Sequence, residues 1–432
     1  MPNLIVTNAC ELACPFCFAS DYRADPAADG PARMNLDELR ALLEFVGADT
    51  ARFCGGEPTL HPDFVEMLSL ALARPDGGAM VMTNGLWPAA VQDHVAGLSR
   101  RQRARVSYLV NLLEPSCYSD AQRQRLLTTL EVLPARAVTL GFTIHQPRFV
   151  YAHLIELARR FGYSQLRYSV AAPSLTDPRT WSIEPERDFA PMAERLFLMV
   201  REARAAGIEV NSDCGYLPPC AFSEAQLAEL SGGAGSAPTL EFSCHGPIDI
   251  GPGGVAWRCF GLYPLVRATC EPFPHAAALG DQLEELTAEL ELPPLLDACE
   301  GCALRASGVC AGGCHAFRAV RDLRDRARAC QVQIEDDARL LAAVPSIDTA
   351  TLRYLKQASD ERPLIERGGV WTGLAVTPLE ATLLGRCDGA RSIARLLDEG
   401  GPRGDDEPRR DEIARAARRL FALGAISLRA VD

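Results

Sequence analysis

The chain has 432 residues, a length that holds two to four domains at roughly 150 residues each. Its 48% hydrophobic and 23% charged residues are ordinary for a globular chain and exclude a collagen-like or wholly disordered polymer. With 44 Lys and Arg against 56 Asp and Glu, the net charge of −12 gives no electrostatic case for nucleic acid or an anionic membrane as partner.

The informative number is the 16 cysteines. Met1-Pro2-Asn3 leads straight into a strand-like run at 4–7 with no signal-peptide pattern, and no later stretch holds about 18 uninterrupted apolar residues. The expected location is cytoplasmic. In a reducing compartment so many thiols point to metal or cluster ligation rather than disulfides.

From residue 3 to about 210, short β-leaning runs alternate with amphipathic stretches, the pattern of parallel βα units. Strands are expected at 4–7, 52–54, 79–83, 106–112, 138–145 and 166–170, and helices at 35–46, 62–72, 90–98, 119–133, 152–161 and 184–206. Asn35, with Glu38 three residues on, gives the first helix a capping-box-like start. Six units are too few to close an eightfold barrel and enough for a partial (β/α)6 TIM-like barrel of the α/β class, with functional loops at the C-terminal ends of its strands. Residues 211–330 are irregular and cysteine-rich, a stretch that needs an internal staple such as bound metal. Residues 332–357 read as helical. A third unit starts at Arg362, with strand-like pieces at 364–366 and 370–376, helices at 378–386, 392–397 and 410–423, and a charged loop at 399–410. The expected domains are thus 1–210, 211–345 and 346–432.

Cys10, Cys14 and Cys17 form CxxxCxxC directly after the first strand. Three thiolates on one short loop hold three corners of a four-iron cluster and leave one iron open for an exogenous ligand. On spacing alone, a structural zinc or iron site completed by a distant cysteine is the alternative. The second strand ends in Cys54-Gly55-Gly56-Glu57-Pro58, a glycine pair where backbone can approach a small ligand, followed by a carboxylate able to pair with an ammonium.

The segment 7–18 (TNACELACPFCF), with Phe16 before the third cysteine, and GGEP at 55–58 resemble the radical S-adenosylmethionine (radical SAM) enzymes over about residues 1–210. The resemblance implies that Cys10, Cys14 and Cys17 hold a [4Fe-4S] cluster whose fourth iron is chelated by the methionyl end of S-adenosylmethionine (SAM). It places Phe16 near the adenine and Gly55, Gly56, Glu57 and Pro58 at the amino-acid end. It further implies cofactor contacts at Thr83 and Asn84 after the third strand, at Asn111 for the ribose and at Arg167 for the carboxylate.

Cys244, nine residues, Gly254, four residues and Cys259, followed by Cys299-x2-Cys302-x7-Cys310-x3-Cys314 and then Cys330, resemble the SPASM extension of radical SAM enzymes that act mostly on peptides. The gap between Cys302 and Cys310 is seven residues where five is commoner. The family implies two auxiliary [4Fe-4S] clusters, hence three in all, with Cys244, Cys259 and Cys314 on the first and Cys299, Cys302, Cys310 and Cys330 on the second. The first is one ligand short. Cys214 or Cys220, in the preceding linker, fills that corner, returns a hydrogen atom to a substrate radical, or is an inert core thiol; otherwise the site is open and binds substrate, or holds a smaller cluster. Cys54, Cys117, Cys270 and Cys387 fit no motif and read as small buried hydrophobes. Sulfatase-maturing relatives carry an acidic residue after the cysteine matching Cys259; Phe260 stands there in this chain, which disfavours that reaction. Glu114, Asp213 and Asp249 are carboxylates near the relevant loops, with no base assigned among them.

Residues 363–432, with VTPLEATLL from Val376, CDGARSIARLL from Cys387 and a final LFALGAISL, resemble the small winged-helix-like α+β PqqD-like domain that recognises leader peptides; a general winged-helix unit is the alternative. A leader strand would add to a sheet edge within 364–376 and so present the tethered core peptide to the barrel at high effective concentration. The whole reads as a maturase that abstracts a hydrogen atom from a ribosomally synthesised precursor peptide through a 5′-deoxyadenosyl radical, installing a crosslink, epimerisation or other modification. Its expected partners are the precursor with its leader and a one-electron reductant of flavodoxin or ferredoxin type, without nucleic acid or membrane. The alternatives are a radical SAM enzyme for a small molecule, such as a tetrapyrrole or sugar intermediate, and a non-enzymatic multi-cluster electron carrier.

Overall fold

The computed structural model describes residues 1–24, 33–231, 240, 242, 244, 246–347, 352–356, 363–367, 370–387, 389–398 and 409–430. The six expected strands form as β1 (Asn3–Thr7), β2 (Thr50–Gly55), β3 (Gly78–Thr83), β4 (Val106–Leu112), β5 (Val138–Ile144) and β6 (Gln165–Val170), lying parallel in chain order. Between them come helices Leu36–Val46, Phe64–Ala73, Ala89–Gly97, Asp120–Val132 and Ala152–Phe161, with Pro185–Ala205 after β6. Alternate strand residues such as Val6, Phe53, Val81, Val110, Leu140 and Leu166 share one core with the apolar faces of these helices. Asn35 caps the first helix by accepting from the N–H groups of Asp37 and Glu38 at 3.0 and 2.9 Å. Glu38 does not complete the capping box; its carboxylate accepts instead from the Gly253 N–H.

The sheet is wider than six strands. β7 (Glu209–Ser212) adds a seventh parallel strand beside β6. On the opposite edge β8 (Asp249–Ile250) pairs parallel to β1, and β9 (Val255–Trp257) and β10 (Ala268–Thr269) continue antiparallel. The order is β10-β9-β8-β1-β2-β3-β4-β5-β6-β7, an open barrel wall whose β1 side is extended by the cysteine-rich segment. Trp257, fully buried, packs with Tyr22, Tyr263 and Phe260 against Ile5, Cys54 and Met82. Part of the barrel's apolar filling therefore comes from the extension.

The helix expected over 332–357 is a short one, Asp337–Ala342, followed by β11 (Val344–Ser346). Pro345 cannot continue a helical ladder, and β11 finds an antiparallel partner in β15 (Ser427–Arg429), some eighty residues on and invisible to local periodicity. β12 (Leu352–Lys356), β13 (Pro363–Arg367) and β14 (Val370–Ala375) make a three-stranded antiparallel sheet. Helices Pro378–Arg386, Ile393–Asp398 and Arg410–Ala422 follow. Most of the charged loop expected at 399–410 lies outside the described residues. Leu383, Ile393, Ala417 and Leu420 share one apolar core with Leu323 and Ala327 of helix His315–Ala329, so the C-terminal unit is packed onto the extension. Among the described residues no helix is long and apolar enough to cross a membrane.

Candidate active site

The loop bearing Cys10, Cys14 and Cys17 leaves the C-terminal end of β1, and all three thiols are partly exposed. The glycine pair at the end of β2 exists for this loop's sake. A Cβ at Gly55 would stand 2.4 Å from the Thr7 carbonyl oxygen, and one at Gly56 would stand 2.4 Å from that of Ala9. The absent side chains let the Gly56 and Glu57 N–H groups donate to Thr7 and Ala9 at 2.8 and 2.7 Å, which stitches β2 to the start of the cysteine loop. Burial, then the neighbouring Cys17, Cys10 and Cys117, push the Cys14 thiol up to about 12.

Glu57 is fully buried and its carboxylate is already taken. Oε1 accepts from the Thr59 hydroxyl (2.6 Å), the Thr59 N–H (3.2 Å) and the Thr83 hydroxyl (2.8 Å), and Oε2 from the Asn84 N–H (2.6 Å). Its side chain therefore locks the ends of β2 and β3 together, and Pro58 starts the tight turn Pro58–Leu60 beside it. Thr83 is further engaged by the Gly85 N–H and the Trp87 indole. Two buried polar atoms nearby lack a partner among the described residues, Asn84 Nδ2 and Asn8 Oδ1, a donor and an acceptor suited to the carboxylate and ammonium of an amino-acid ligand. We expect Glu57→Gln to lose the bond from the Asn84 N–H and to cost roughly 1–3 kcal/mol, read as a lower urea midpoint with the far-UV spectrum unchanged; an unaltered midpoint would contradict the locking role.

Phe16 stacks on His145 at 4.2 Å between ring centroids and 19° between planes. His145 directly follows β5, and a lone histidine after a strand carries no sequence signal of its own. Strand register sets Asn111 of β4, Gly141 of β5, Arg167 of β6 and Asn211 of β7 in one row across the barrel wall. Gly141 makes room in that row, since a Cβ there would stand 2.1 Å from Asn111 Oδ1. Arg167 is ion-paired to Asp213. Asp249 lies deep in the wall on Asn3 Nδ2 at 2.7 Å, and burial pushes its carboxyl up to about 7. Glu114 accepts from the Val150 N–H (3.1 Å) and the Gln146 amide (3.2 Å) and so orders the loop after β5.

The remaining cysteines sort into two groups. Cys259 begins the turn Phe260–Leu262, and Cys314 caps helix His315–Ala329. Gly261 allows their approach, because a Cβ there would lie 2.4 Å from that of Ala316. Gly246, two residues after Cys244, likewise packs on the carbonyl of Arg258, next to Cys259. Cys214 follows β7, fixed by the Asp213 N–H on Tyr168 O (2.7 Å) and the Val170 N–H on Gly215 O (3.2 Å). Burial, then the neighbouring Cys259 and Cys314, drive its thiol well above the ordinary range. The second group, Cys220, Cys299, Cys302 and Cys310, lines a single small cavity. The structure does not bring Cys330 to that cavity; it follows the far end of helix His315–Ala329. Of the four unassigned thiols Cys54 is buried and Cys270 and Cys387 partly so, whereas Cys117 is exposed, contrary to its reading as a buried hydrophobe, because the turn Pro115–Cys117 lies at the surface.

Residues 4–110 match the model of the Radical SAM superfamily. The chain is 27% identical over 161 residues to GTP 3′,8-cyclase of Synechococcus elongatus, covering 34% of this chain and 48% of that protein. It is 33% identical over 90 residues to 7,8-dihydro-6-hydroxymethylpterin dimethyltransferase of Methanocaldococcus jannaschii, covering 20% and 17%. The chain thus spans about half the length of the first relative and less of the second. Streptococcus suis SuiB bound to S-adenosylmethionine superposes with a TM-score of 0.44 at 14% identity, over 74% of this chain and 73% of that one. The family match runs from β1 into β4 and contains the three-cysteine loop and the Gly55–Pro58 segment, so the likeness to the Radical SAM superfamily lies on the stretch that carries the candidate site.

Proposed function

We propose that the chain is a maturase of ribosomally synthesised peptides, with a SAM-binding [4Fe-4S] cluster on Cys10, Cys14 and Cys17 and two auxiliary clusters on the extension. When bound, the first cluster supplies one electron that splits SAM into methionine and a 5′-deoxyadenosyl radical, which takes a hydrogen atom from the substrate. The chain's own contribution is placement. Phe16 and His145 offer a flat aromatic seat for the adenine, Asn8 and Asn84 offer the unmatched polar atoms for the amino-acid end, and Asn111 lies on the inner row for the ribose. Glu57 keeps that seat rigid, and Arg167, paired with Asp213, would meet the carboxylate. Such preorganisation holds one C–H bond in line and keeps competing donors away. Cys214 would complete the first auxiliary cluster with Cys244, Cys259 and Cys314, which leaves that cluster without an open iron.

The peptide substrate rests on one observation above the others: β12 and β14 are the outer strands of a three-stranded sheet on a C-terminal unit packed against the cluster-bearing extension. An outer strand accepts a leader by main-chain pairing. This unit would be the PqqD-like domain, spanning about residues 346–432 beside a barrel of 1–210 and an extension of 211–345. The curated relatives favour a second reading, a small nucleotide or pterin as substrate, over the barrel segment that they match. To decide, the reconstituted enzyme is supplied with SAM, a one-electron reductant of flavodoxin or ferredoxin type, and the short peptide encoded nearest to its gene. We expect 5′-deoxyadenosine together with a peptide mass change that vanishes when the leader is removed. Deoxyadenosine release coupled only to a nucleotide would establish the second reading.

A further inference from the structure

The family pattern assigns the second auxiliary cluster to Cys299, Cys302, Cys310 and Cys330, but the geometry points to a different set: we propose that Cys220, Cys299, Cys302 and Cys310 hold that cluster and that Cys330 is a packing residue outside it. The assignment rests on the proposal that the extension carries auxiliary clusters.

The four thiols line one cavity, together with Leu295, Leu296 and the glycine pair Gly312-Gly313. Each is positioned by its own local device. Cys220 sits in the tight turn Pro219–Ala221, where Pro218 and Pro219 fix the backbone. Cys299 ends the turn Asp297–Cys299, and Cys302 caps the short helix Ala303–Ala306. Cys310 is held by its N–H on Leu304 O at 3.1 Å, while the Gly312 N–H points at its sulfur at 3.4 Å, a contact that favours thiolate. The cavity wall is closed by Leu295, whose N–H donates to Gly312 O at 2.8 Å, and Gly313 has no side chain because a Cβ there would stand 2.5 Å from that of Leu295.

Cys330 belongs elsewhere. Helix His315–Ala329 has 15 residues and at 1.5 Å per residue is about 22 Å long. The segment leading to Cys299 runs beside its first turns: Arg318 donates to Pro293 O at 2.8 Å and Arg321 to Pro294 O at 3.0 Å. Its last turn faces the C-terminal unit, with Arg326 donating to the carbonyls of Phe421 and Ala422 at 2.9 and 3.1 Å. Cys330 packs there, against the apolar core shared by the two units. Four protein thiolates close the second cluster, which suits it to passing electrons rather than binding substrate. With Cys214 on the first cluster, neither linker thiol is left to return a hydrogen atom.

The test uses the full chain carrying Cys10→Ala, Cys14→Ala and Cys17→Ala, reconstituted anaerobically, so that iron reports the auxiliary clusters alone. This background should bind about eight irons, as two four-iron clusters require. Adding Cys220→Ala should lower the count to about four, or to about seven with the electron paramagnetic resonance signal of a three-iron cluster. Adding Cys330→Ala should leave the count and the reduced spectrum unchanged. Iron that is present but indifferent to Cys220, or that falls with Cys330, overturns the ligand assignment alone. A background protein without iron overturns the auxiliary-cluster reading and this assignment with it. Thiol alkylation of the unaltered chain, read by mass spectrometry, covers the case of a variant that fails to fold: cluster loading should protect Cys220 and leave the labelling of Cys330 as it is in the apoprotein. The reverse pattern overturns the assignment.

Discussion

Cys14→Ala is expected to stop reductive cleavage of SAM, with 5′-deoxyadenosine release falling by at least ~10³-fold and bound iron by about four per chain. Cys14 is the middle one of the three proposed ligands, and the loop's own bonds depend on the backbone there, with the Cys17 N–H donating to Cys14 O at 3.1 Å. Alanine keeps that backbone bond and removes only the sulfur. Two thiolates on a flexible connection cannot replace three, so the cluster is lost and the barrel stays folded, since Cys14 lies outside the apolar core. Far-UV circular dichroism should therefore match the parent protein while the iron and product assays collapse. Cys117→Ala removes the exposed thiol whose charge also reaches Cys14, and should keep both iron and cleavage. A Cys14→Ala protein that still cleaves SAM with a full complement of iron would refute the ligand role.

The parts of this molecule that were legible in the sequence are those written within one turn or one strand. The six strands and their helices follow from local alternation, and the cysteine loop and the Gly55–Pro58 segment are contiguous motifs. What was not legible depends on partners far away in the chain. β8 and β10 are two residues long and exist because β1 and β9 pair with them. β11 is a strand because β15 waits for it. Gly55 and Gly56 looked like an opening for a ligand, but the carbonyls of Thr7 and Ala9 fill the space their side chains would need. Glu57 looked like a partner for an ammonium, and Thr59, Thr83 and Asn84 occupy it instead. The cysteine spacing named Cys330, while the fold delivers Cys220 to the cavity. Spacing counts residues along the chain, and a straight helix converts fifteen of them into distance.

The second large effect is expected at Asp177, where three parts of the chain meet. This buried carboxylate follows β6 and accepts from the Arg179 guanidinium at 2.8 and 2.9 Å, from the Ser20 hydroxyl, and from Arg415 of helix Arg410–Ala422 at 3.1 Å. Ser20 is three residues past Cys17. The adjacent Thr176 binds Asp21 through its hydroxyl at 2.6 Å and gives its carbonyl to the buried Arg418. The junction thus ties the C-terminal unit to the back of the cysteine loop. Arg179 is largely exposed and its share is small. Arg415 is the less exposed of the two guanidinium partners, and Asp177→Ala removes the carboxylate it faces at a cost of about 3–5 kcal/mol, a large part of a typical domain's stability. Burial alone would raise the Asp177 pKa, but the bonds from Arg179 and Ser20 and the charge of Arg415 outweigh it and hold the carboxyl well below the usual carboxylate range. A depressed carboxylate stabilises the fold above the unfolded value of about 4 and loses that contribution as pH falls through the folded value. The stability gap between parent and Asp177→Ala, measured by urea unfolding, should therefore be full at pH 7 and narrow below about pH 4. Asp21, which burial pushes up to about 6 against the lowering charge of the same Arg415, has the opposite slope. Asp177→Ala combined with Arg415→Met should recover much of the loss, because the less exposed guanidinium no longer faces an absent carboxylate. Equal urea midpoints for parent and Asp177→Ala at pH 7 would show that the junction bears no load. A loss that Arg415→Met fails to relieve would place the cost in the Ser20 contact behind the cysteine loop.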